Sequence, residues 1–155
     1  MFNVNLCMEG LKELISSTWG VPKGNIQEAG MDVVETTAEN GSFPYVVVDA
    51  SSASVSRGTA AMNVWSTSIP LSVYYIDTPE RSVNYLAMTR ANVASLASEL
   101  AITHLPVGGV GTCREVTVNR ISWRVPTFEN AFRDRGLELN VGCVDISIAV
   151  EETSE

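Results

Sequence analysis

Between Trp65 and Ala101 one periodicity gives way to another at a clear stop signal, and no other stretch constrains the fold as much. Odd positions read Trp65, Thr67, Ile69, Leu71, Val73 and Tyr75, whereas even positions read Ser66, Ser68, Pro70 and Ser72. Side chains alternate across a strand, so this pattern predicts a strand with one apolar and one small polar face. Asp77, Thr78, Pro79 and Glu80 follow. They read as a capping carboxylate, a proline suited to the first helical position and an acid in the first turn. Val83, Leu86, Ala87, Val93, Ala94, Ala97, Leu100 and Ala101 then recur at helical spacings, which predicts a long helix packed back on the sheet.

The flanking segments supply partners for that unit. Met8, Leu11, Leu14, Ile15 and Thr18 predict a short amphipathic first helix ending near Trp19 and Gly20, weakened by Gly10. Residues 21–43 are polar and turn-rich, and within them residues 31–35 read as an edge strand. Residues 43–49 (Phe-Pro-Tyr-Val-Val-Val-Asp) form an unbroken apolar run, the mark of a strand covered on both faces. Residues 50–63 are dominated by Ser, Ala, Gly and Thr around a single Arg57, so they are expected to form a mobile loop or arm. Pro70 lacks a ladder donor. It therefore places its strand at an edge or bulge unless the missing N–H faces away from a partner.

Two more strands follow a breaker-rich connection at residues 105–111. In the first, Val116 and Val118 lie on even positions and Ile121, Trp123 and Val125 on odd ones; in the second, Leu137, Leu139, Val141 and Cys143 are odd and Val144, Ile146, Ile148 and Val150 even. A phase slip inside a strand needs a bulge or a change in which face is covered. Two neighbouring slips suggest one long bent hairpin whose distal part, around residues 126–136, protrudes. Residues 151–155 read as a solvated acidic tail. The expected whole is a single α+β domain over residues 1–155, with a mostly antiparallel sheet, one long helix packed across it, a short N-terminal helix and a protruding β-hairpin.

With 155 residues the chain can bury a core without staples. Its net charge of −8, from ten Lys plus Arg against eighteen Asp plus Glu, disfavours phosphate-backbone binding. No apolar run reaches the roughly 20 residues of a membrane span, and the N-terminus has no basic region of the kind a signal peptide carries. Three scattered cysteines (Cys7, Cys113, Cys143) without a close pair fit a reducing compartment.

Chemistry-bearing motifs are sparse. The single histidine, His104, could form a dyad with Cys113, but its position favours a helix C-terminus, where imidazole meets the last carbonyls. There is no G-x-S-x-G elbow and no ligand pair at helical spacing for zinc. Asp145 and Glu115 could pair across strands. Gly108, Gly109 and Gly111 resemble a phosphate loop, yet helix precedes strand here, whereas an anion site needs a helix N-terminus after the loop. Arg90 interrupts the apolar stripe of the long helix and either snorkels to solvent or pairs across an interface. Arg120, Arg124, Arg133 and Arg135 alternate with Glu129, Asp134 and Glu138. Such a mixed patch is either plain solvated surface or a register-fixing interface. With Arg57, the interface reading makes Arg120, Arg124, Glu129, Arg133, Asp134 and Arg135 candidate contact residues. A small hydrolase, or a ligand-binding module using a cleft between helix and sheet, stands as an alternative class.

The order of pieces is a first helix, a strand opening Phe43-Pro44-Tyr45-Val46-Val47-Val48, a loose polar loop, a strand led by Asn63-Val64-Trp65, a long helix after Asp77 and two final long strands. This layout resembles the tail terminator, or tail-completion, proteins of long-tailed bacteriophages and related neck proteins. The resemblance spans nearly the whole chain and rests on pattern, without a signature motif, so no functional residue carries over. It implies a small α/β fold in a homohexameric ring that caps the tail tube, ends its polymerisation and offers a head-joining surface. It implies no covalent chemistry, in agreement with the expectations from the residues of no catalytic motif, no cofactor or metal, no nucleic-acid sequence recognition and no membrane contact. The implied partners are further copies of the chain, the tail tube protein and the head–tail connector protein. The implied location is the virion, after assembly in the host cytoplasm. Another neck, head-closure or baseplate adaptor protein with the same layout is the nearest alternative.

Overall fold

A computed structural model of the chain describes residues 4–28, 44–50, 54–59, 64–78, 85–102 and 111–153. The elements are α1 (Val4–Trp19), a 3-10 turn (Lys23–Asn25), β1 (Ile26–Glu28), β2 (Tyr45–Asp49), β3 (Ser54–Thr59), β4 (Val64–Asp77), α2 (Tyr85–Ile102), β5 (Gly111–Ser122), α3 (Pro126–Asp134) and β6 (Asn140–Thr153). The architecture is α+β, as the periodicities require. Six strands form one sheet in the order β1-β2-β4-β6-β5, with β3 alongside β4. Among the described pairs, β1 and β2 run parallel and the others are antiparallel.

The spine of the sheet is β4 against β6, in unbroken register from Val64 opposite Thr153 to Asp77 opposite Asn140. The alternation in β4 dictates its packing. Thr67, Ile69, Leu71, Val73 and Tyr75 are all buried, and the pairs Ile69–Ile148, Leu71–Ile146 and Val73–Val144 face the same side. There they meet Cys7, Met8, Leu11 and Ile15 of α1 and Val93 and Leu96 of α2 in the main core. Each fully buried aliphatic side chain contributes about 1.5–3 kcal/mol by leaving water. Trp19 ties the helices to the sheet: its Nε1–H donates to the Asn92 carbonyl at 2.6 Å, and its ring meets Tyr75 edge-on at 5.0 Å. Gly20 ends α1 with φ +66°, and its N–H donates to the Ser16 carbonyl at 2.9 Å, a left-handed stop that glycine adopts without a Cβ penalty.

The buried face of α2 differs from the sequence expectation. Thr89, Val93 and Leu96 are buried, whereas Ala87 and Ala94 are exposed. The helix is rich in small residues all round, so its pattern defines a helix better than it defines a face. Thr89 and Val93 lie close over Gly142 of β6, where an added Cβ would stand 2.6 Å from Thr89 Cγ2 and 3.0 Å from Val93 Cγ2.

The opposite face of the sheet is covered over one part. Tyr45 and Val47 of β2, Ile76 of β4 and Val141 of β6 cluster with Phe132 and Leu139, and with Phe128, Val125 and Leu137 at the margin. That cover corrects the protruding-hairpin expectation. β5 and β6 do pair, but residues 126–134 between them form α3, with Pro126 at its start. Phe128 and Phe132 lie one helical turn apart and therefore share a face. Anchored on Tyr74 (5.3 Å, edge-on), this face folds the connection back onto the sheet.

Coverage on both sides explains why Tyr45, Val46, Val47 and Val48 are all buried. The two expected slips have different origins. In β5 the register shifts between Val118 and Arg120, so Asn119 is an extra residue. β6 keeps its register with β4 but passes from the region covered on both faces to one whose outer positions, Asp145, Ser147 and Ala149, are only part-buried. Pro70 lies inside the sheet between the described partners on one side of β4, because β3 pairs as far as Ser68, opposite Ser54, and β2 pairs from Ser72, opposite Asp49. Among the described residues no partner strand on that side requires its donor.

Within the expected arm, residues 54–59 form β3 against β4; residues 51–53 and 60–63 lie outside the described residues. Glu151, Glu152 and Thr153 of the expected tail are the end of β6, opposite Ser66, Trp65 and Val64. The expected edge strand at residues 31–35 lies outside the described residues. α1, at 16 residues, is nearly as long as the 18-residue α2, so the first helix is not short.

Candidate interaction surface

β2, β4, β6 and β5 carry the polar positions of their alternation to the face away from α1 and α2. Asp49 stands opposite Ser72, Ser72 opposite Asp145, and Asp145 opposite Arg120, giving one row across four strands. Ser72 Oγ donates to Asp145 Oδ1 at 2.5 Å, and the Cys143 thiol reaches the same oxygen at 3.4 Å. Asn119, extruded by the bulge, donates from Nδ2 to Ser147 Oγ at 2.8 Å. Asp49, Pro70, Leu71, Ser72, Asn119, Asp145 and Ile146 line an open hollow of about 390 Å³. Burial, with Asp145 adding to it, pushes the Cys143 thiol up to about 12. A thiol held protonated in this way is a poor nucleophile.

The candidate residues read from the sequence separate into distinct places. Arg124 and Glu129 come together: Arg124 Nε and Nη2 donate to Glu129 Oε1 at 3.1 and 2.7 Å. Glu129 is 3% exposed, and its Oε2 accepts the Val141 N–H at 3.2 Å. This pair fastens α3 to the sheet. Arg120 is exposed on β5 opposite Asp145. Glu115 stands opposite Ala149, so the Glu115–Asp145 pairing that the sequence allowed is not the register of these strands. Arg133, Asp134 and Arg135 are exposed at the end of α3, where the Arg133 carbonyl accepts the Gly136 N–H at 3.0 Å. Arg57 is on β3 opposite Trp65. His104 lies outside the described residues, so the dyad with Cys113 does too. Among the described residues no group of three or more His, Cys, Asp or Glu could hold a metal ion. Among them, too, no helix is long and apolar enough to cross a membrane.

A corner at the exit of β5 was not singled out from the sequence. Trp123 is 46% exposed and Ile121 is 39% exposed, and the guanidinium of Arg90 lies 5.5 Å from the Trp123 ring centroid. Arg90 therefore does more than snorkel, since a cation over an indole face is attracted by the ring quadrupole. The available signal was an arginine breaking the stripe of one helix and a tryptophan ending a strand. Nothing in their separation along the chain links the two.

No family model matches the chain, and no curated protein matches it by sequence. Solved structures do share its fold. A chain of the virion of a native gene transfer agent particle aligns over 96% of this chain and 96% of its own length, with a TM-score of 0.58 and 11% sequence identity. At that identity the likeness establishes a common fold from end to end.

Proposed function

We propose that the chain is a structural protein of a phage-like virion, a subunit of a homomeric ring that caps the tail tube, ends its polymerisation and joins tail to head. The observation that carries this reading is the end-to-end fold match to a chain of a gene transfer agent virion. The layout resemblance to tail terminator proteins agrees with it. The sheet-face row Asp49–Ser72–Asp145–Arg120 then serves as contact surface, with Arg57, Arg133, Asp134 and Arg135 at further contacts. Such a subunit acts by binding and needs neither cofactor nor catalytic group. Its partners are other copies, the tube protein and the connector. Net negative charge keeps free copies soluble before assembly.

The test is disruption of the gene in a producing strain, followed by electron microscopy of the particles. Overlong or headless tails are expected, and the intact gene supplied in trans should restore tails of normal length joined to heads. Particles with tails of normal length joined to heads would reject the proposal. Localisation of the protein to the baseplate in assembled particles would replace the terminator role with an adaptor role.

A further inference from the structure

We infer that the Trp123 corner of one copy docks into the acid-rimmed hollow on the sheet face of a second copy. This deepens, and rests on, the reading of the chain as a repeating subunit. The corner is a knob: Trp123 and Ile121 are exposed large apolar side chains beside one another at the sheet margin, and Arg90, itself exposed, places its cation over the indole. Tryptophan and arginine are both among the residue types enriched at binding hot spots.

The hollow has the complementary character. Its lining takes in Pro70, the backbone of Leu71 and Ile146, whose side chains point into the core on the other face, and the polar groups of Asp49, Ser72, Asn119 and Asp145, and its volume is about 390 Å³. An indole entering it would lie against the exposed Pro70 ring and bring the attached guanidinium to the Asp49 and Asp145 carboxylates. The Arg90 cation of the knob and the Asp49 and Asp145 carboxylates of the hollow are complementary in sign. Charge complementarity of this kind guides encounter and fixes register.

Knob and hollow are different patches of one molecule. Trp123 lies past the last β5–β6 pair, Ser122 with Cys143, next to α2, whereas the hollow opens on the face away from the helices. The contact is therefore heterologous and repeats from copy to copy, closing where the rotation allows.

Sedimentation equilibrium on the full chain tests this, over a concentration series at low and high salt. The variants are Trp123→Ala, Arg90→Glu, Asp49→Arg and the double variant Arg90→Glu with Asp49→Arg. Wild type is expected to self-associate, more weakly at high salt. Trp123→Ala should weaken association by about 30-fold, the scale of a hot-spot aromatic. Each charge reversal should weaken it about tenfold, and the double variant should recover most of that loss, as complementary patches require. Should Trp123→Ala fail to fold, the reversal-and-rescue pair decides alone, because Arg90 and Asp49 are both exposed. A wild type that stays monomeric throughout, or association indifferent to all four variants, overturns the inference. Neither result touches the virion role, which stands or falls on particle morphology. Conversely, rescue of association in a protein whose loss leaves tails normal keeps the contact and rejects the role.

Discussion

Removing the guanidinium of Arg124 should cost more than removing the charge of the carboxylate it serves. Glu129 is 3% exposed and has three hydrogen bonds, two from Arg124 and one from the Val141 N–H. In Arg124→Ala the carboxylate stays buried with one donor. Breaking a buried ion pair from one side costs about 3–5 kcal/mol. The low end applies here, because the Arg124 side chain is 50% exposed and water can follow into its place. Glu129→Gln keeps an oxygen for Val141 N–H but turns its NH2 towards Arg124 and loses those two bonds; it strands no buried charge, and the half-exposed guanidinium can turn to water, so the cost is roughly 1–2 kcal/mol. The double variant has no stranded charge and should be no worse than about 2 kcal/mol, so the cycle should show a coupling of about 2 kcal/mol. Urea denaturation of the four proteins at neutral pH measures all of this, provided the slopes stay constant. A cost below about 1 kcal/mol for Arg124→Ala, or strict additivity, would mean the pair is a surface ornament and α3 is held by its phenylalanines alone.

Other outcomes follow from the same packing. Phe132→Ala should cost about 3 kcal/mol or more, since the ring is 2% exposed in the second core; loss of hydrogen-exchange protection should be confined to α3 and its contacts on β2, β4 and β6. Gly142→Ala should cost about 1–3 kcal/mol, because its Cβ would collide with Thr89 and Val93, and a thermal melt would show it. Cys143 should resist alkylation at pH 8 in the folded protein, as peptide mass spectrometry would reveal. Its raised pKa also has a linkage consequence. Between about 9 and about 12 the unfolded thiol loses its proton while the folded one keeps it, so this contribution to stability is complete below pH 9 and falls as pH rises. A Cys143→Ala variant should lose stability less steeply over that window.

The fold was legible where a segment's chemistry had one solution. The strict alternation in β4 and the apolar run of β2 named their own faces, and the bulge at Asn119 was visible as a change of parity between Val118 and Ile121. α3 was missed because strand parity on both sides of residues 126–136 invited one continuous hairpin. The signal against it was local: Pro126 at a helix start and Phe128 with Phe132 one turn apart. The interaction surface was less legible. The arginine-rich stretch read as one patch, but Arg124 turns inward to Glu129 while Arg133 and Arg135 stay outside. Which arginine meets a carboxylate depends on where the backbone turns, and α3 was the turn not foreseen. The hollow and the Trp123 corner combine residues from strands and helices that only the sheet order brings together.

The sheet order also sets when this protein can fold. β6 comes last among the described strands yet lies second from the β5 edge, and it is the only neighbour that β4 pairs with along its entire length. Val64 waits for Thr153, so during synthesis the ribosome must release nearly ninety further residues (153 − 64) before that ladder can close. Until then Ile69, Leu71 and Val73 lie on a strand open on one side, and long-range pairing of this sort is slow and prone to aggregation. Growth of the nascent chain, rather than helix formation, is therefore the clock for maturation, and holdase chaperones would act in that interval.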